Sequence, residues 1–524
     1  MENRSFTCKA RYEHLEPDRF VFLQRARQCS ELTIPTLIPP LGHNKTTKYY
    51  TPWQGIGARG VNNLASKLLL ALLPPNSPCF RLQVDSFTLQ KIAGNDTVRS
   101  QVEDGLGKIE RAVTDEIEGT GMRAPIFQTL KHLIIGGNAL LYLPPKTGTR
   151  VFGLDNYVAV RDPKGNLLEV IIKEVVNADA LDNKAIDRLE DMQEGEETKP
   201  DKDDEVEVYT RFYRGEDNRW HMYQEVLGEE VPGSRGSWPL EKPPILCLRW
   251  TAVEGEDYGR SYVEEYIGDL IALEALSKAM VEAAASASKI IWLVSPNGVT
   301  RAKDITESES GDAIVGHKDD VHCLQSEKQA DMKIAYEAVK TITERLSYAF
   351  LLSSAIQRNG ERVTAEEIRY MAGELEDALG GVYSILAQEF QLPLIMRVMD
   401  RMQKAKRLPD LPKDVVKPVI VTGLAALGRG HDLNKLQMFM QGLQQFGPQA
   451  LSYINIPDLI TRWGTSLMID MGGLVKDPQQ VQQEQQQMMQ QQQLGDIASK
   501  AAPNAVKAIS DHMMAANQGQ QPTQ

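Results

Sequence analysis

Cysteine is scarce in this sequence, with 5 in 524 residues. They stand at Cys8, Cys29, Cys79, Cys247 and Cys323, odd in number, scattered and without CxxC or zinc spacing. That argues against a disulfide framework or a thiolate metal site and for free thiols in a reducing compartment. His322 adjoins Cys323, but no second ligand pair is near, so the two read as packing or surface residues. An excess of positive charge is also missing: 58 Lys and Arg stand against 71 Asp and Glu, a net charge of −13. A conventional nucleic-acid clamp would present a basic face and is not expected, although DNA that passes nearby without adhering is compatible. No window offers the ~20 apolar residues of a bilayer span. Residues 64–73 carry Lys67, and 275–294 are interrupted by Lys278, Glu282 and Lys289. The polar opening Met1-Glu2-Asn3-Arg4 does not read as a signal peptide. The expectation is a soluble chain made in the cytoplasm, with no membrane partner. GxxxxGK[ST], HExxH and GxSxG are all absent, so no ATP motor, catalytic constellation, metal or cofactor is expected.

What is present is a globular composition, 42% hydrophobic and 25% charged, long enough for roughly three or four domains. Helical periodicity covers most of residues 1–135. From Asn138 the texture changes to short β-branched and aromatic runs separated by turns such as Asp162-Pro163-Lys164-Gly165-Asn166, an antiparallel β region with an acidic insertion near 187–205. Ser261-Tyr262-Val263-Glu264 forms a capping box that opens a helix able to reach Ile291, about 45 Å of rod. Its later part, including Ala283, Ala284 and Ala287, is nearly all small side chains. A compact mixed segment follows, with Pro296-Asn297-Gly298 as a turn, and residues 326–352 are helical again, with Ile334, Ala338, Ile342 and Leu346 on one face.

That second helix leads into the stretch around which the chain is organised. Gln357, Arg358, Asn359, Gly360, Glu361 and Arg362 form a short polar loop. Thr364 and Glu367 make a second capping box, and an apolar repeat runs on until Pro393 should bend or stop the helix. Residues 397–474 read as helical, broken at Pro409, Pro412 and Pro448, and 479–493 are almost wholly Gln with Met, the start of a tail expected to be largely disordered. The fold class is α+β, mainly α.

Gly55-Ile56-Gly57-Ala58-Arg59-Gly60 matches GxGxxG literally, but a dinucleotide site needs a preceding strand and a βαβ unit. Here Pro52-Trp53-Gln54 precedes and a helix follows, so close packing of the helix start is the simpler reading. Glu366-Glu367 and Glu264-Glu265 read as helix-surface charges. Arg358 and Arg362 flank Gly360 and suit either phosphate contacts or carboxylates of the same or a neighbouring chain.

Several stretches resemble the portal, or head-to-tail connector, proteins of short-tailed phages of the autographivirus type. They are the loop and helix from Gln357 to Leu394, Tyr50-Thr51-Pro52-Trp53-Gln54 with Gly57-Ala58-Arg59-Gly60 and Asn62-Asn63-Leu64-Ala65-Ser66-Lys67-Leu68, Tyr258-Gly259-Arg260-Ser261-Tyr262, and Thr422-Gly423-Leu424 with Gly428-Arg429-Gly430. They keep order and spacing over roughly residues 10–435 and are weakest in the acidic insertion and the Gln-rich tail. The resemblance implies a homo-oligomeric ring, usually of twelve subunits, at one capsid vertex of the virion. It also implies a wing (1–260, with a long helix at 364–393), a stem (helices 261–291 and 326–352), a clip (292–325), a tunnel loop (353–363), crown helices (394–478) and the tail 479–524. Ala283, Ala284 and Ala287 would pack the stem between subunits, and residues 357–362 would face DNA. Implied partners are double-stranded DNA passing non-specifically, the large terminase subunit, a scaffolding protein, the major capsid protein, a tail adaptor and internal core proteins. Alternatives from other classes are a monomeric scaffold or adaptor, and a nucleotide-binding enzyme using the Gly55–Gly60 loop.

Overall fold

The computed structural model describes residues 7–44, 46–75, 79–84, 96–144, 148–177, 205–288, 291–324, 329–352, 385–409 and 416–420, with isolated positions at 375–382, 438–442 and 459–460. Contacts divide the chain into two units, Met1–Ala426 and Leu427–Gln524. The architecture below is that of the first.

Helix α1 (Cys8–Glu31) begins where Thr7 accepts a hydrogen bond from the Ala10 amide. Its buried Arg19 donates to the carbonyls of Leu154, Asp155 and Tyr157 at 2.9–3.0 Å, which fixes the helix against the loop ahead of a sheet strand. Helix α2 (Ile56–Leu72) buries Val61, Leu64, Ala65 and Leu68 at 0% exposure. Strand β1 (Phe80–Val84), helix α3 (Asp96–Gly119) and helix α4 (Arg123–Gly136) follow. Gly137 ends α4 at φ +70°, and a Cβ there would lie 2.6 Å from the Arg260 carbonyl carbon, so only glycine fits this left-handed, crowded cap.

The chain then enters β2 (Asn138–Tyr142), β3 (Arg150–Phe152), β4 (Tyr157–Arg161) and β5 (Leu167–Asn177). After the undescribed 178–204, where most of the acidic insertion lies, come β6 (Glu205–Arg214), β7 (Arg219–Val226), β8 (Glu229–Glu230), β9 (Gly236–Pro239) and β10 (Ile245–Arg249). One sheet has the order β10-β2-β3 and a larger one β4-β5-β6-β7-β8 with β9 beside β7. All these pairings are antiparallel, as the alternating texture predicts. Tyr12 and Leu15 of α1 pack on Val158, Ile171 and Tyr209 of the larger sheet. A single large apolar cluster joins α2, α4, the smaller sheet and Trp250.

Ser261 opens α5 (Tyr262–Glu265), its hydroxyl accepting from the Glu264 amide at 3.0 Å, one half of the expected capping box, while the Glu264 carboxylate pairs with Arg25 and Arg260. The expected single helix to Ile291 is instead two: the chain breaks at Tyr266, and α6 (Ile267–Ala287) ends four residues early. Next come β11 (Ile291–Val294), α7 (Ala302–Glu307), β12 (Val321–Leu324), antiparallel to β11, and α8 (Gln329–Ala349).

Of the two outcomes expected at Pro393, a bend or a stop, the stop does not occur: a π-helical turn, Ala387–Gln391, precedes α9 (Leu392–Lys404), with the proline in the first turn of α9. Residues 397–474 are not helical throughout either, because Val416–Ile420 is strand β13, paired antiparallel with β1 from Phe80↔Ile420 to Val84↔Val416. β-Branched Val416, Val419 and Ile420 suit a pleated edge. Leu394, Ile395, Val398 and Met402 of α9 belong to the large core, so the segment from residue 394, expected in the crown, starts within the first unit. Among the described residues helix exceeds strand, and the architecture is mixed helix and strand.

Candidate functional site

The antiparallel pair α6/α8 and the small module that joins its ends carry many exposed side chains among the described residues. Asp269 and Arg345 bridge the pair at 2.8 Å. Where the pair meets the body, the Tyr262 hydroxyl donates to the Ala349 carbonyl at 2.6 Å, and Phe350, fully buried, meets the rings of Tyr262 and Tyr266 at centroid distances of 6.0 and 6.3 Å. The last carbonyls of a helix lack intrahelical partners. Here Asn63 Nδ2 of α2 donates to the carbonyls of Phe350 and Leu351, and Lys67 Nζ donates to Leu351. Leu351 sits at φ +54°, so the chain turns sharply and leaves α8 from a fixed point.

A second anchor lies on α6. Glu274, 9% exposed, accepts from the Tyr50 hydroxyl, from the Trp53 amide at 2.9 and 3.1 Å, and from the Gln54 amide at 3.2 Å. This carboxylate straps Tyr50-Thr51-Pro52-Trp53-Gln54 onto the helix. Accepting that bond, with the negative charge beside it, pushes the Tyr50 phenol up to about 12.

The Gly55–Gly60 segment is packed rather than open. Gln54 Oε1 accepts from the Gly57 amide at 2.9 Å, occupying the start of α2, and Gln54 Nε2 donates to the Leu32 carbonyl. A Cβ on Gly57 would meet Leu32 O at 2.5 Å, and one on Gly60 would meet the Phe350 ring at 2.4 Å. Among the described residues no strand precedes the motif. The packing reading fits and a dinucleotide loop does not.

In the joining module, Asp320 accepts from the amides of Val299 and Thr300 and from the Thr300 hydroxyl at 3.0–3.2 Å. These bonds, the Thr300 amide foremost, hold its carboxyl below the usual range. Trp292, Leu293 and Val315 of the module are 51%, 51% and 79% exposed. On the helix pair, Ile271, Ile334 and Tyr348 are exposed as well. Ala283 is half-buried, while Ala284 and Ala287 are exposed. His322 is exposed and Cys323 half-buried. Among the described residues no group of three or more His, Cys, Asp or Glu could hold a metal, and no helix is long and apolar enough to cross a membrane. Gln357, Arg358, Asn359, Gly360, Glu361 and Arg362 lie outside the described residues.

Asn63 and Lys67 stand in a stretch that carries the family resemblance, but sequence reasoning assigned no anchoring role to them or to Glu274. Glu274 did carry a signal, a lone carboxylate inside the apolar run Ala272-Leu273-Glu274-Ala275-Leu276.

Residues 5–473 match the family model described as bacteriophage head to tail connecting protein. The chain is 41% identical over 482 residues to the portal protein of Escherichia phage T7, covering 91% of this chain and 89% of that one. It is 42% identical over 481 residues to the portal protein of Enterobacteria phage T3, again covering 91% and 89%. Among solved structures, the neck of a native GTA particle is 11% identical over 73% of this chain and 85% of that one, with a TM-score of 0.32, too low to carry an argument. The family match and the two relatives span nearly the whole sequence, and the chain therefore belongs to the bacteriophage head-to-tail connecting family, with the function of a portal protein.

Proposed function

We propose that copies of this chain close into a homo-oligomeric ring, of twelve in the reading from resemblance, at one vertex of the capsid. The ring is a passive conduit for DNA during packaging and ejection, nucleates procapsid assembly with the scaffolding and major capsid proteins, and contacts internal core proteins. It docks the large terminase subunit first and the tail adaptor afterwards. Residues 1–260 with 364–393 form the wing, 261–291 and 326–352 the stem, 292–325 the clip, 353–363 the loop toward DNA, and 394–478 the crown. The ring is not an enzyme; the energy for translocation comes from a separate motor. Its acidic balance of −13 suits a wall that DNA must slide past, because like charge repels rather than grips.

The observation that carries this reading is the module at the far end of α6/α8, whose Trp292, Leu293 and Val315 stand open in the single chain. Exposed large apolar groups clustered on so small a module favour a docking surface. Replacing residues 292–324 with a short Gly/Ser linker tests it. The variant is expected to fold and to lose binding to both the terminase subunit and the tail adaptor. Normal binding of both would refute the assignment.

A further inference from the structure

The turn that follows β11, Ser295-Pro296-Asn297-Gly298, is closed by the Gly298 amide, which donates to the Ser295 carbonyl at 3.2 Å, the long end of the normal range. Asn297 is exposed, and its carboxamide has no hydrogen-bond partner among the described residues. Glycine follows it, so no side chain shields the Gly298 nitrogen. Among the described residues no other Asn precedes a Gly, and Asn359-Gly360 lies outside them.

An exposed Asn-Gly pair with a free carboxamide has a reaction of its own. When the peptide swings out of the turn and the Gly298 nitrogen gives up its proton to hydroxide, that nitrogen can attack Asn297 Cγ. A new C–N bond forms, the Cγ–Nδ2 bond breaks, and the side-chain nitrogen leaves as ammonia with a proton from water. A second water molecule opens the resulting cyclic imide. Opening at the Cγ carbonyl gives aspartate, and opening at the main-chain carbonyl gives isoaspartate, whose main chain runs through Cβ and Cγ. Only water is consumed and only ammonia is released.

What opposes the reaction is Asp320. Its carboxylate accepts from the amides of Val299 and Thr300 and from the Thr300 hydroxyl at 3.0–3.2 Å. Its carbonyl accepts from the Ser295 amide at 2.8 Å, so both ends of the turn are tied to one residue. The carboxylate also presses on Gly298, where a Cβ would lie 2.6 Å from Asp320 Cγ. A negative charge that close disfavours an amide anion. We propose that Asn297 is a site of spontaneous conversion to aspartate and isoaspartate, restrained by the Asp320 clasp. Conversion loosens the clasp in turn. Isoaspartate lengthens the main chain by one atom, about 1.5 Å, between the two segments that Asp320 holds, and either product adds a carboxylate near it. Converted copies therefore lose docking strength, a consequence that rests on the reading of residues 292–325 as the clip.

The test holds full-length protein for days at mildly alkaline pH and maps its peptides by mass spectrometry, with isoaspartate detected by an isoaspartate-specific methyltransferase. Wild type should slowly accumulate both products at position 297, at a rate that rises in proportion to hydroxide. Asp320→Ala should convert roughly tenfold faster, as expected when hydrogen bonds to a charged group are lost. Asn297→Gln, whose longer side chain closes a ring far more slowly, should stay unchanged. Hydrogen exchange at residues 299 and 300 should rise in aged wild type and not in aged Asn297→Gln. An intact Asn297 in both wild type and Asp320→Ala would overturn the site. Aspartate without isoaspartate would overturn the ring-closing route, and an unchanged rate in Asp320→Ala would overturn the restraint. Aged wild type should bind the large terminase subunit less than fresh protein does, and equal binding would overturn the docking consequence alone. Fresh protein that does not bind would overturn the clip reading, with the conversion still decided by the peptide map.

Discussion

Replacing Glu274 with Ala removes the acceptor that ties Tyr50, Trp53 and Gln54 to α6. Trp53 is 47% exposed, so its amide regains water and the loss there is small. Gln54 is only 7% exposed, and its amide is left without a partner. An unsatisfied buried donor costs about 1–3 kcal/mol. The helix itself should persist, because Ala is at least as good a helix former as Glu. A local destabilisation of about 2 kcal/mol corresponds to roughly 30-fold faster opening of the strap. Hydrogen exchange followed by mass spectrometry should show that acceleration in peptides covering residues 50–57, with no change within α6. Glu274→Gln keeps one carbonyl acceptor and should lie between. Unchanged exchange of the strap in Glu274→Ala would refute the claim that this carboxylate holds it.

Gly60→Ala sets a methyl against the Phe350 ring and should cost about 1–3 kcal/mol, lowering the thermal midpoint, while Gly55→Ala, with open space at its Cβ, should leave it unchanged. Burial depresses His132 from the usual 6.5 to about 4. The unfolded chain then binds a proton in that window and the folded chain does not, so stability should fall as pH drops from about 6.5 to 4, by roughly 2–4 kcal/mol in total. His132→Leu should flatten that part of a melting-temperature profile, and parallel profiles for the two proteins would contradict it. Arg358→Ala with Arg362→Ala should leave rings and procapsids intact and lower the DNA packaged or retained, because phosphate contacts are individually modest and screened beyond about 8 Å. Loss of rings instead would assign these arginines to subunit contacts, and wild-type packaging would remove them from the channel.

Local signals were legible in the sequence and distant pairings were not. The Ser261 cap, the α2 start and the antiparallel strands from Asn138 are written in residue types within a few positions, and the structure follows them. The β1–β13 ladder joins Phe80 to Ile420 across 340 positions, and neither short strand announces its partner. Pro393 suggested a bend or a stop, and the π-helical turn ahead of it, which has no simple sequence signature, was not foreseen. The break at Tyr266 arises from tertiary packing: its ring meets Tyr262 and Phe350, which lies far along the chain. The anchors at Asn63, Lys67 and Glu274 were hidden for the same reason, since their partners are backbone groups that only the fold brings near. The family motifs gave the function more directly than any of these, and Tyr50-Thr51-Pro52-Trp53-Gln54 and Asn63 to Lys67 are the segments that now hold the helix pair in place.

The central claim is that the chain works as a closed ring, and the mass of the purified full-length protein tests it most directly. At 58.5 kDa per chain, a twelve-membered ring is about 700 kDa. Mass photometry at micromolar concentration and below should give a single dominant species near that mass, with annular particles in negative stain. A persistent 58.5 kDa monomer, or a ladder of open oligomers without closure, would contradict the account.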